Sequence, residues 1–277
     1  MTRFERPESM AEAASLLAAG DWALLAGGTD LYPAHVGRPI AMPLLDLSRV
    51  AGLRGIDRSA DGWSIGATTT WSDVIRADLP PLFDALKAAA REVGGVQIQN
   101  TGTVAGNVCN ASPAADGMPV LLALGAEVEL RSALGSRRLP LDAFVLGSRR
   151  TARRSDELVT ALHVPSRSAR AKSAFAKLGG RRYLVISIAM VAAVVDVDDE
   201  GRVIGAGVAV GSCSAVAKRL PALETRLLGH DLAEVADCVE AGDLAPLTPI
   251  DDARASAGFR LDATLTLLRR ALAALAP

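Results

Sequence analysis

Gly27 and Gly28 sit where an apolar run gives way to small residues, in the stretch LLAGGTDL made of Leu24, Leu25, Ala26, Gly27, Gly28, Thr29, Asp30 and Leu31. A second stretch, TGTVAGNVCNASPAAD (residues 101–116), is built alike. It carries Gly102, Thr103, Val104, Ala105, Gly106 and Asn107, then Cys109, Asn110 and finally Asp116. Small residues let backbone N–H groups come close to a ligand, and glycine allows the positive φ that points successive amides inward. Thr29 adds a hydroxyl donor, and Asn107 and Asn110 each carry a donor and an acceptor. Asp30 would repel a phosphate, so it reads as a turn cap or an acceptor from a hydroxyl. Asp116 can accept from two sugar hydroxyls or cap the helix that follows; both readings stay open. AGGTD alone also reads as a strand-ending turn. Together the two stretches describe two concave, amide-lined loops able to close on the diphosphate of a dinucleotide, held by loops rather than by a helix N-terminus.

Rival chemistries lack their residues. GVAVGS (residues 207–212) is not a G-x-G-x-x-G opening a helix, and no P-loop pattern occurs. His35, His163 and His230 have no metal-ligand spacing, and no nucleophilic triad is readable. The three cysteines, Cys109, Cys213 and Cys238, include no C-x-x-C pair. They predict no disulfide framework, cannot ligate an ordinary iron–sulfur cluster by themselves, and suit a reducing cytoplasm. A net charge of −1 gives no basic excess for nucleic acid. The local cluster RRTARR (residues 149–154) reads as a solvated loop or as a dock for a partner or an anionic cofactor group. The first residues lack a secretory apolar core, and SIAMVAAVVDV (residues 187–197) is too short to span a bilayer. The expectation is a soluble protein.

The elements that must position these residues read as α/β segments followed by a sheet with helices. Ser9 and Glu12 form an S-x-x-E cap for a helix over residues 10–19. Strands are expected at residues 22–25, 43–48 and 63–67, in a β-α-β beginning. Thr70 caps a helix from Trp71, and Pro80 and Pro81 open another over 82–93. A short apolar helix follows at 116–124, then strands at 126–132 and 157–165. After the polar break at 167–172, strands dominate, with Asp198–Gly201 as a hairpin turn. Helices are expected at 220–228, 232–240 and 255–275.

These motifs, with the late segment DDARASAGFRLDATLTLLRRAL, resemble the FAD-binding medium subunit of molybdenum hydroxylases, the group of xanthine dehydrogenase-, nicotinate dehydrogenase- and 4-hydroxybenzoyl-CoA reductase-type complexes. The resemblance covers almost the whole chain. It implies an α+β fold: a two-part FAD-binding domain of the vanillyl-alcohol oxidase (PCMH) type, with subdomains at 1–57 and 58–168, then an antiparallel-sheet-plus-helices domain at 172–277. It implies non-covalent FAD, with residues 24–31 as the first diphosphate-and-ribose loop and 102–107 as the second. Cys109 and Asn110 would line the flavin side, and Asp116 would bind a cofactor hydroxyl. Val159 and Lys177 match less specific family positions, Lys177 being equally an exposed strand lysine. Ile186 and Ser187 fall near the flavin ring. Molybdopterin and iron–sulfur clusters are implied only in partners, a large and a small subunit, with NAD+ or another acceptor taking the electrons. Ala105 stands where the family usually has glycine, Phe259 and Leu261 where it often has tyrosine and arginine, and AGGTD departs from the AGGHS of the carbon monoxide dehydrogenase branch. A self-sufficient flavoenzyme of the same superfamily and a non-catalytic scaffold remain open alternatives.

Overall fold

Ser9 starts the first helix, Met10–Ala18, by accepting the Glu12 amide on its Oγ at 3.2 Å. The Glu12 carboxylate reaches back to the Glu8 amide at 2.9 Å, one residue before the position of a capping box. The computed structural model describes residues 3–276. Its first sheet is three-stranded and parallel, with Leu44–Asp46 between Phe4–Glu5 and Ala23–Leu25. The first glycine motif leaves the carboxyl end of Ala23–Leu25, the end of a parallel strand where open α/β sheets place ligands.

The second sheet is five-stranded and antiparallel, in the order Ile56–Ser59, Gly62–Gly66, Leu158–Pro165, Glu127–Ser132, Gly135–Pro140. The helices Trp71–Arg76, Asp84–Glu92 and Gly117–Ala123 share its core, in which Trp71, Phe83, Leu86, Leu121 and Leu130 are buried. Thr70 forms a complete capping box with Asp73 at the head of Trp71–Arg76.

A four-stranded antiparallel sheet follows, with Ala189–Val197 and Val203–Gly211 at its centre. Ala189–Val197 reads as an unbroken apolar run because both its faces are covered. Ala192 and Val194 join the core around Leu121, while Val191, Ala193 and Val195 pack with Leu223, Leu227, Leu268 and Leu272. Those last residues belong to helices Pro221–Leu227 and Ala257–Ala273. Asp198 makes the hairpin turn, its Oδ1 accepting the amides of Glu200 and Arg202 at 3.1 and 2.8 Å.

Two expectations are corrected. Residues 232–240 are not a helix. Leu232, Val235 and Val239 are buried at helical spacing, but the backbone closes successive short turns, Glu234 to Asp231 and Asp237 to Glu234. The second motif is not simply a loop: it starts at the end of the helix Val96–Thr101 and forms a second short helix, Val104–Asn110, capped by Thr103 Oγ1 on the Gly106 amide at 2.9 Å. Its small residues serve close packing inside helices instead of a turn. Strands Phe4–Glu5, Ile56–Ser59 and Gly135–Pro140 lay outside the sequence reading; the last two are polar strands whose pattern resembles a loop.

Candidate functional site

The two motifs meet backbone to backbone. A Cβ on Gly27 would lie 1.9 Å from the Thr101 carbonyl oxygen, and one on Gly102 would lie 3.2 Å from Thr29 Oγ1. Gly28 has φ +67, the left-handed region that glycine enters freely. Among the described residues, the amides of Gly27, Gly28 and Thr29 donate to no acceptor of the chain. The second motif is anchored to the next element, with Val104 N donating to Thr69 O at 3.0 Å and Trp71 N to Gly102 O at 3.1 Å.

Between the motifs lies a cleft of about 500 Å³. Residues 24–31 line it without a break, and Gly102, Thr103, Ala105, Gly106, Asn107, Cys109, Asn110 and Val159 line the other side. Val104 turns into the core and is fully buried. Trp71 and Ile98 add apolar wall.

The cleft holds unused polar capacity. Asn107 Oδ1 is buried and accepts no hydrogen bond. A buried acceptor without a donor costs stability; Arg167, Ser212, Asp243 and Arg260 each hold one further unpaired buried atom outside the cleft. Arg153 is the one cation among the described residues lining the cleft. Its Nη1 donates to the carbonyls of Arg154 and Glu157 at 3.0 and 2.8 Å, which pins the side chain. Of the RRTARR cluster, Arg153 alone lines the cleft. Free amides and one arginine in a glycine-lined cleft fit a dinucleotide diphosphate.

Asp116, Lys177 and Ile186 lie outside the lining of this cleft. Asp116 caps nothing with its side chain. It accepts from Lys177 Nζ at 2.8 Å and Ser187 Oγ at 2.7 Å. Burial pushes its carboxyl above the ordinary range, and Lys177 and Ser187 pull it back without cancelling the shift. Lys177 is 6% exposed in its side chain, so it is no surface lysine. Ile186 is half exposed beside Ser187. Arg149, a residue the sequence reading did not single out, bridges Asp30 and Asn110. Its signal was the basic cluster, but its partners could not be read from the chain. Among the described residues no group of histidine, cysteine and carboxylate side chains could hold a metal, and no helix is long and apolar enough to cross a membrane.

Residues 1–167 match the family described as the FAD binding domain in molybdopterin dehydrogenase, and residues 173–275 match the CO dehydrogenase flavoprotein C-terminal domain. The chain belongs to the FAD-binding medium subunits of the molybdenum hydroxylases. The alpha subunit of the 6-hydroxypseudooxynicotine dehydrogenase complex of Paenarthrobacter nicotinovorans is 31% identical over 283 residues, covering 96% of this chain and 91% of that one. The nicotine 6-hydroxylase medium subunit of the same organism is 29% identical over 276 residues, covering 98% and 95%. In structure, a chain of reconstituted CO dehydrogenase from Oligotropha carboxidovorans superposes with a TM-score of 0.89 at 28% identity, covering 98% of this chain and 96% of that one. The medium-subunit family gives the chain its class: an oxidoreductase subunit whose first 167 residues form an FAD-binding domain.

Proposed function

We propose that this chain is the electron-transfer subunit of a multi-subunit molybdenum hydroxylase. It takes electrons from iron–sulfur clusters of a small subunit and passes them to NAD+ or another acceptor, while substrate is oxidised at a molybdopterin centre in a large subunit. The observation that carries this is the convergence of both glycine motifs on one cleft whose Gly27, Gly28 and Thr29 amides are unpaired. The relatives named as medium subunits support the multi-subunit setting.

Bound FAD supplies a carrier that takes electrons singly and gives them up in pairs. The residues of this chain bind and orient it. The amides of Gly27, Gly28 and Thr29 would hold the diphosphate, Arg153 would offset its charge, and the side chain of Asn107, which lines the cleft, would hydrogen-bond a polar group of the cofactor. Val159, Trp71 and Ile98 exclude water from one wall. Asp116, joined to Lys177 and Ser187, fixes the segment carrying Ile186 against the second motif. No acid–base pair is needed for electron relay. The subunit would work in the cytoplasm, whose reducing milieu suits three cysteines with no C-x-x-C pair.

The test is purification of the tagged chain from cells that make its natural partners, with metal and flavin analysis. Molybdenum, iron and FAD in fixed ratio, and reduction of NAD+ or another soluble acceptor by the intact assembly, support the proposal. A chain that purifies alone and turns over a substrate unaided overturns it.

A further inference from the structure

Arg149 lies in the turn between strands Val145–Gly147 and Arg150–Thr151, with φ +55. A non-glycine residue in this region is held there by its surroundings. The Arg149 amide donates to the Ala111 carbonyl at 3.1 Å, and Ala111 is itself left-handed at φ +47, closing the helix Val104–Asn110. The turn therefore aims the Arg149 side chain at the end of the second motif.

The guanidinium makes a fork across the mouth of the cleft. Nη1 donates to Asp30 Oδ2 at 2.8 Å and to Asn110 Oδ1 at 2.8 Å, and Nη2 donates to Asp30 Oδ1 at 3.3 Å. Asn110 Nδ2 donates to Asp30 Oδ1 at 3.3 Å and closes the triangle. Asp30 and Asn110 both line the cleft, one in each motif, whereas Arg149 does not. At the base of the cleft the motifs are fixed by the backbone contact of Gly27 with Thr101. At the rim they are tied by Arg149.

We propose that Arg149 is a positioning residue for the cofactor: acting through Asp30 and Asn110, it holds the two rims of the cleft together and slows escape of the bound dinucleotide. This rests on the reading that the cleft takes FAD. The planar guanidinium suits the task because it reaches the carboxylate and the amide oxygen at once, which an ammonium does with less geometric control. The pair is open to solvent, with side-chain exposures of 64% and 49%, so salt weakens the tie.

The test is the release of FAD from the flavin-loaded protein, purified with its partner subunits and followed by the fluorescence of free flavin after dilution. Arg149→Ala is expected to release FAD about five-fold faster, the scale of losing an exposed ion pair and its hydrogen bonds. Arg149→Lys is expected to fall between the two. Rising salt should speed release from the wild type more steeply than from Arg149→Ala, where only the attraction of Arg153 for the diphosphate is left to screen, a difference that a merely structural arginine would not give. If Arg149→Ala does not fold, Asp30→Asn weakens the same tie from the other side and is expected to show the same reduced salt dependence. Equal release rates with equal salt response, while both proteins hold FAD, overturn the proposal and leave the cleft reading standing. A wild-type assembly that never holds FAD overturns the cleft reading, and the proposal with it.

Discussion

Gly27 packs against the Thr101 carbonyl so closely that a methyl group at its Cβ position would sit 1.9 Å from that oxygen. The glycine is thus required first by the contact between the two motifs and only then by any ligand. Both halves of the cleft depend on it.

Gly27→Ala is expected to force the motifs apart. Overpacking of this kind costs about 1–3 kcal/mol. Thermal unfolding should show a lowered Tm, and the protein should purify without FAD. An unchanged Tm with full flavin content would mean that the two motifs are not in contact.

Gly28→Val is expected to act differently. The residue has φ +67, and its Cβ would meet the Tyr32 ring at 2.5 Å. Tyr32 is half exposed and free to swing aside. The left-handed backbone costs about 1–2 kcal/mol for a residue with a side chain, so the chain should stay folded while FAD is excluded. Retained stoichiometric FAD in this variant would remove the first motif from the site.

Asn107→Ala separates binding from stability. Its buried Oδ1 has no donor, so removing it should leave Tm unchanged or raise it. FAD affinity should fall about five- to ten-fold, the scale of one hydrogen bond. Titration of FAD into the apo-protein measures it. A loss of stability without a loss of affinity would assign Asn107 to the scaffold.

Lys177→Met leaves the Asp116 carboxylate buried without its cation. Breaking such a pair from one side costs about 3–5 kcal/mol. The sign of its pH dependence follows from burial, which already raises the Asp116 carboxyl. With Lys177 gone it rises further. A folded-state value above the unfolded one favours the fold below the unfolded value, and that contribution is lost as pH rises through the folded value. The variant should therefore be more stable at mildly acid pH than at neutral pH, when the wild type is the reference. Adding Asp116→Asn to Lys177→Met should restore part of the stability. A flat difference across pH would show that Asp116 is not charged in the wild type.

What the sequence disclosed was local. Ser9, Thr70, Gly28 and the turn at Asp198 act on neighbours a few residues away, so their roles follow from backbone chemistry. The helix Val104–Asn110 was missed because Gly106, Asn107 and Asn110 speak for a loop, while the Thr103 cap that starts it is only one hydroxyl. Leu232, Val235 and Val239 gave a helical period without a helix, since burial at that spacing is also met by successive turns. Arg149 was illegible because Asp30 lies 119 positions away, and the Lys177 partner lies 61 away. Nothing in a basic cluster or a strand lysine says which distant carboxylate it will meet.

The most direct measurement is the flavin content of the protein, both as the purified chain and co-purified with its partners, by visible spectrum and by chromatography of the cofactor released on heating. The account predicts one non-covalent FAD per chain in the assembly, released intact by heat. An assembly that is colourless, and stays so when incubated with FAD, would contradict it.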